Sequence, residues 1–261
     1  MTSTSALSIQ TVFLPRENIM FLEEWMAYHV LLGVEHFYLY DNTGSIGRQG
    51  SNQTTSKHGV NFYELTKHLS DADIEERMHD IFERIQAEVT LVKWQPKNDK
   101  GKIVYAIADA IKHFYQNFRD KNDWVAFIDI DEFIFSPTNI NVSEILQESS
   151  ALGVSELILK QKKFLDRFRA KTNKVINIYD CIEGIDTARW GSKVIIRIND
   201  LNVEQIPNIH SLQVCDGKLK PVDEQVLRFN HYNVNAKELK WMKRFYNSKK
   251  DFHINAVDHG M

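Results

Sequence analysis

At 261 residues, with 43% apolar and 26% charged side chains, the chain has the make-up of a soluble globular protein able to bury one sizeable core. A net charge of -3 argues against a nucleic-acid binder, which needs a marked basic excess. Two cysteines, Cys181 and Cys215, exclude a disulfide framework and a C-x-x-C metal pair. No uncharged apolar run approaches the ~18 residues that span a bilayer. The opening Met1-Thr2-Ser3-Thr4-Ser5 carries no basic stretch ahead of an apolar one, so no leader is expected and the default setting is reducing and cytoplasmic.

Leu7 to Leu14 reads as a first strand, stopped by Pro15. Ile19, Leu22, Trp25, Met26 and Val30 then fall at helical spacing, predicting a helix over Ile19 to Leu32 with Asn18 as N-cap and Gly33 just past its end. His36-Phe37-Tyr38-Leu39-Tyr40 reads as a second strand, running into Asp41-Asn42. Strand, helix and strand within about 35 residues make a βαβ unit with a parallel pair and a right-handed crossover.

Thr43 to Gly59 has a loop composition without periodicity. Asp71 to Glu88 reads as a polar helix, Val89 to Trp94 as a third strand, and Lys102 to Phe118 as a second long helix. Alternating β and α elements argue for a doubly wound sheet, in which ligands sit outside the carboxyl ends of the strands. The residues at those ends are Arg16-Glu17, Asp41-Asn42, Gln95 and Asp129 to Asp131, all polar at the positions that matter.

The stretch Trp124 to Phe135 carries the strongest chemical signal. Val125 to Ile128 has the apolar continuity of a strand buried on both faces. On an extended backbone Asp129 and Asp131 would then project to the same side, with Ile130 opposite. Because Phe133-Ile134-Phe135 return to apolar character, the acids interrupt a buried path. Interior carboxylates are normally paired or metal-bound, and all-oxygen ligands suit Mg²⁺ or Mn²⁺.

Beyond Phe135, Val142 to Ser149 reads as a helix, and short strands are expected at 157–159, 175–179, 194–198 and 209–214. The basic run Lys160 to Lys171 is either a solvated face or a patch for an anionic acceptor or membrane surface. A final helix is expected over Asn235 to Asn247, either packed on the core or lying at a membrane interface. His29 reads as a packed structural histidine, and Trp94 and Trp190 as core or rim residues. The sequence offers no linker, so it reads as one α/β domain with a nucleotide-binding half over about 7–135 and an acceptor-binding half over about 136–250.

Four groups of residues carry a resemblance. Glu24-Trp25, Tyr28-His29, Gly33-Val34 and Tyr40-Asp41-Asn42 resemble the opening of the glycosyltransferase family 2-like and family 92 group. Trp124 with Phe127-Ile128-Asp129-Ile130-Asp131-Glu132-Phe133 is similar to its central motif, and Lys193-Val194-Ile195-Ile196-Arg197 and Asn230-His231-Tyr232 to its late ones. The resemblance implies a GT-A fold, with a Rossmann-like, mostly parallel sheet flanked by helices and a mixed second half. It also implies a nucleotide-sugar donor, UDP- or GDP-linked, a glycan acceptor, and Mn²⁺ or Mg²⁺.

By that resemblance Asp129, Asp131 and His231 are the metal ligands. Arg16, Glu17, Asp41, Asn42, Asp129 and Lys193 face the donor, and Lys102 is expected to join them as a cation near the diphosphate. Lys243 or Arg244 could also help neutralise the departing diphosphate. An inverting reaction needs a carboxylate base; Asp166, Glu183, Asp186 and Glu132 are the candidates, Asp166 the first choice. Two other functions compete with transfer. A sugar nucleotidyltransferase would want a glycine-rich loop after the first strand, and Leu14-Pro15-Arg16-Glu17-Asn18 has no glycine. A non-catalytic carbohydrate- or protein-binding relative would tolerate loss of Asp131.

Overall fold

The computed structural model describes residues 6–45, 66, 68–164, 168–169, 174–175, 183–186, 192–206, 217–232 and 254–256. Strand β1 (Leu7–Phe13) is buried at every position. Pro15 ends it, and its fixed φ opens the one-turn helix α1 (Pro15–Asn18). Helix α2 (Leu22–Leu31) follows and stops at Gly33, whose φ of +100° a side chain would resist. Strand β2 (Val34–Asp41), helix α3 (Asp71–Arg84), strand β3 (Glu88–Lys93), helix α4 (Ile107–Phe118) and strand β4 (Trp124–Phe127) complete the alternating half. The start of α3 is fixed by a reciprocal cap: Ser70 Oγ accepts the Asp73 N–H at 3.1 Å while the Asp73 carboxylate accepts the Ser70 N–H at 2.7 Å.

These four strands lie in the order β3-β2-β1-β4, and every pairing among them is parallel. The chain winds outward from β1 through β2 and β3, then returns to the other side of β1 as β4. The α2 and α3 side chains Trp25, Met26, Ile74, Met78 and Ile81 pack on one face of the sheet. Ala110, Ile111 and Phe114 of α4 pack on the other. Opposite crossovers open a crevice between the carboxyl ends of β1 and β4, where such sheets hold their ligands. The expected α/β class with a Rossmann-like parallel half is therefore what the chain adopts.

The second half is mixed, as expected. Strand β5 (Glu132–Phe135) leaves the main sheet, α5 (Val142–Ala151) returns the chain, and the long β6 (Val154–Phe164) re-enters it. The ribbon β7 (Phe168–Arg169) with β8 (Lys174–Val175) pairs separately, and β9 (Glu183–Asp186) lies antiparallel to β6. Strand β10 (Ser192–Arg197) is antiparallel to both β4 and β6. Strands β11 (Lys218–Pro221) and β12 (Arg228–Tyr232) run parallel to β6, β12 also pairs antiparallel with β5, and β13 (Ile254–Ala256) pairs with β9.

Several expectations change. Asn18 does not cap α2; its Oδ1 accepts the Leu14 N–H at 3.0 Å inside the first turn, and Phe21 stands at the α2 N-cap. The helix expected from Lys102 begins only at Ile107. Gly101 has φ +71° and Ala106 φ +45°, both left-handed, and β-branched Ile103 forms a bridge with Lys97. The basic run over 160–164 is strand, part of β6. Cys181, Cys215, Trp190, the strand expected at 209–214 and the helix expected over 235–247 lie outside the described residues, as does most of the loop at 43–59. Among the described residues, no helix is long and apolar enough to cross a membrane.

Candidate functional site

The central acidic stretch is not one extended strand. Strand β4 ends at Phe127, residues 128–131 form a turn, and β5 begins at Glu132. The turn is closed by Glu132 N–H donating to the Asp129 carbonyl at 3.0 Å. It is braced the other way by the Asp129 N–H donating to Glu132 Oε2 at 2.9 Å. Ile128 and Ile130 remain buried while Asp129 and Asp131 are partly exposed, so the predicted alternation survives in a backbone that is not a strand.

Three side chains of α2 hold this turn from beneath. Trp25 Nε1 donates to the Glu132 carbonyl at 2.8 Å and Tyr28 Oη to the Ile134 carbonyl at 2.9 Å. His29 Nδ1 lies 2.8 Å from the Trp25 carbonyl, and the Ile134 N–H donates to His29 Nε2 at 3.2 Å. A carbonyl at one ring nitrogen and an N–H at the other fix one neutral tautomer. Burial pulls the His29 pKa down to about 3, so it is neutral at every ordinary pH. The structural reading of His29 is the one the fold adopts, and with Trp25 and Tyr28 it sets where β5 starts.

Above that base lies a ring of charge. Lys193, on β10, is fully buried, with Nζ 2.9 Å from Asp129 Oδ2 and 2.8 Å from Glu132 Oε2. Opposed desolvation and attraction leave its ammonium held above the usual range, because two carboxylates flank it. His231, on β12, places Nε2 3.1 Å from Asp131 Oδ2 and Nδ1 2.9 Å from Gln161 Nε2. Burial opposes its charge, but Asp131 and then Glu132 outweigh burial and raise its pKa. Asp131 is lowered correspondingly: burial would raise it, and His231, Lys193 and Lys163 overcome that.

Hard divalent cations need free carboxylate oxygens. One oxygen of Asp129 is taken by Lys193 and one of Asp131 by His231; the second oxygen of each takes no side-chain hydrogen bond among the described residues. Their side chains are 42% and 30% exposed, so those oxygens suit all-oxygen coordination completed by water or a diphosphate. His231 fits less well as a ligand, because both its ring nitrogens already face partners. Among the described residues only His79, Asp80 and Glu83 bring three ligand atoms within 4.8 Å of one another, and they sit exposed on α3. Asp129, Asp131 and His231 thus do not converge into a closed three-ligand cage.

The other predicted residues divide. Glu17 lies on α1 at the carboxyl end of β1, half-buried, its pKa raised by burial, and its carboxylate takes no hydrogen bond among the described residues. Arg16 instead ties down the chain before α3, donating to the Thr66 carbonyl at 2.9 Å and the Leu69 carbonyl at 2.8 Å and pairing with Asp71. Asp41 Oδ1 closes its own turn, accepting the Thr43 N–H at 2.8 Å and hydroxyl at 2.6 Å. Asn42 is fully buried and donates to the Trp94 and Val104 carbonyls at 2.8 and 3.1 Å, which leaves it no surface for a donor. Lys102 is exposed in the turn that precedes α4. Lys193 is wholly enclosed, so a direct contact with a donor phosphate is replaced by contacts to the two acids.

Asp166 lies outside the described residues, and for Glu183 and Asp186 only the β9 backbone is described. Glu132, the remaining candidate base, is buried and pinned by Lys193 and the Asp129 N–H.

Tyr105 escaped the sequence reading. Its Oη donates to the Val12 carbonyl at 2.9 Å, anchoring the strap between β3 and α4 to the end of β1. Burial pushes its phenol up, and the negative charges of Asp129, Glu17 and Asp131 add to the effect. The β-forming Val104-Tyr105 ahead of Ala106 was the only sequence sign of the strap, and the helical periodicity masked it.

An α/β protein with a topological switch point, carrying clustered acids at the carboxyl end of the strand beside it, is the class that fold and site define. The sequence profile of glycosyltransferase family 92 matches residues 56–261. The chain belongs to glycosyltransferase family 92. A family 92 protein of rice (Oryza sativa subsp. japonica) is 25% identical over 228 residues, which are 86% of this chain and 33% of that protein. One of Ricinus communis is 24% identical over 237 residues, 88% of this chain and 36% of that protein. The chain thus spans about a third of the length of the curated relatives it matches. Among solved structures, apo UDP-glucose pyrophosphorylase is similar at a TM-score of 0.37 and 8% identity, over 94% of this chain and 99% of that one.

Proposed function

We propose that this chain is a metal-dependent glycosyltransferase of the GT-A type, moving a sugar from a UDP- or GDP-linked donor to a hydroxyl of a glycan or other acceptor with inversion. The observation that carries the reading is the position of Asp129 and Asp131. They stand at the carboxyl end of β4, beside the switch point, each with one oxygen that takes no side-chain hydrogen bond among the described residues.

Transfer leaves negative charge on a nucleoside diphosphate, and Mn²⁺ or Mg²⁺ supplies the Lewis acidity that stabilises it. Asp129 and Asp131 are the residues that would hold the ion. His231 pairs with Asp131 and keeps it ionised. Glu17 offers an acceptor for hydroxyls or an N–H of the nucleoside. Trp25, Tyr28 and His29 hold the turn still, so its acids need no rearrangement when the donor arrives.

Titrating UDP and GDP calorimetrically with and without Mn²⁺ tests the reading. Binding of one nucleotide that depends on the ion, and that Asp131→Asn abolishes, is expected. Equal binding with and without the ion would overturn it. Proton NMR of the product's anomeric centre tests inversion.

A further inference from the structure

We propose that Lys193 is a positioning residue, a permanent internal cation that locks the Asp129–Glu132 turn in the geometry that receives the divalent ion. This rests on the metal-dependent reading above and adds a residue that no donor or acceptor can reach.

Three observations carry it. Lys193 Nζ touches both acids of the turn, Asp129 Oδ2 at 2.9 Å and Glu132 Oε2 at 2.8 Å, from a side chain with no exposed surface. Glu132 Oε2 also accepts the Asp129 backbone N–H at 2.9 Å, so one ammonium and one carboxylate fix both the main chain and the side chain of Asp129. Strand β10 runs antiparallel to β4 with Ile195 opposite Ala126, and continuing that register sets Lys193 beside Ile128, the first residue of the turn. The lysine is delivered by a different part of the chain to the one place where β4 stops.

Charge explains why a lysine stands there. Asp129, Asp131 and Glu132 would repel one another across one short turn, and only Asp129 and Asp131 have exposed side chains to offer. Lys193 satisfies the buried Glu132 and takes one oxygen of Asp129, whose side chain stays 42% exposed. Outer partners that orient metal-binding carboxylates this way typically carry 10- to 100-fold in affinity, about the range expected here. A lysine acting only as competing positive charge predicts the reverse: its removal would strengthen cation binding.

The test measures Mn²⁺ affinity in the presence of UDP, by calorimetry and by Mn²⁺ electron paramagnetic resonance, for wild type, Lys193→Met and the neutral pair Lys193→Met/Glu132→Gln. At least about tenfold weaker Mn²⁺ binding is expected in both variants. Lys193→Ala should regain affinity when ethylammonium fills the vacated space, which a purely structural loss would not allow. A third measurement needs no variant: the ¹⁵N-ammonium resonance of Lys193 in the wild type should persist, shielded from exchange, and shift on addition of Mg²⁺. Unchanged or tighter Mn²⁺ binding in the variants, or a Lys193 signal indifferent to Mg²⁺, would overturn the proposal. Wild type that binds UDP without regard to Mn²⁺ would instead sink the metal-dependent reading itself, so the two failures are separable.

Discussion

Glu156 offers a quantitative check on the packing of the second half. It is the third residue of β6, opposite Ile196 of β10 and Leu219 of β11, and is 2% exposed. Its Oε2 is buried without a hydrogen-bond partner among the described residues, and burial alone lifts its pKa from 4.5 to about 7. A carboxyl raised in the folded state holds a proton there that the unfolded chain has released. Between pH 4.5 and about 7 the folded state therefore binds more protons, and stability must fall as pH rises through that window. At about 1.4 kcal/mol per pH unit the loss approaches about 3 kcal/mol, complete above pH 7 and absent below 4.5. Glu156→Gln substitutes an amide that never ionises. Urea unfolding of both proteins across this range should give nearly equal stabilities at the acid end. The variant's advantage should then grow steadily toward pH 8. Taking the difference cancels every other titrating group. Parallel curves, with a gap independent of pH, would show that Glu156 finds solvent or a partner and that the reasoning is wrong.

His29 should give the opposite slope: its pKa falls from 6.5 to about 3, so stability is lost as pH drops below 6.5 and the unfolded chain takes the proton. His29→Gln should flatten that part of the curve, read by the same titration. Trp25→Phe keeps an aromatic ring but strands the Glu132 carbonyl and leaves part of the indole's volume empty, and should cost at least about 1–3 kcal/mol in urea unfolding, with weaker Mn²⁺-dependent UDP binding as the turn loosens. Ala106→Gly relieves a left-handed residue with φ +45° and should stabilise by about 1 kcal/mol, read as a raised unfolding midpoint. Asn42→Ala removes the two hydrogen bonds to Trp94 and Val104 and should speed hydrogen exchange in the strap at 94–106 while leaving the β1–β2 ladder protected.

Much of the first half was legible because its signals are local. Alternating periodicities, Pro15 after β1 and Gly33 after α2 are each decided within a turn or two of chain. The failures are equally specific. Ile103, Ile107, Ala110, Ile111 and Phe114 satisfy a helical template, but nothing local reports that Asn42, about 60 residues away in the chain, donates to the Val104 carbonyl and holds the first of these turns extended. The long β6 was missed for a related reason. Lys160, Gln161 and Lys162 look solvated by composition, whereas strands on both sides supply the pairing that keeps them in the sheet.

The candidate site divides along the same line, and the division explains why an acid pair sits in a turn. Asp129 and Asp131 could be found from sequence because carboxylates inside an apolar run demand compensation. What compensates them is reached only through the family resemblance, which named Lys193 and His231 in other roles, because they arrive from strands about 60 and 100 residues further on. A continuous strand would have fixed both acids in the sheet, where neighbouring strands restrict the space a ligand needs. Breaking the strand at Phe127 frees the acids from the ladder, and a free turn would then be mobile. Trp25, Tyr28 and His29 from one side and Lys193 from the other remove that mobility through main-chain and carboxylate contacts that leave the crevice open. The aromatic residues of α2 and the lysine of β10, far apart in sequence, are therefore parts of one device, and on the proposed metal-dependent reading variants on either side should weaken Mn²⁺ binding without touching the carboxylate oxygens of Asp129 and Asp131.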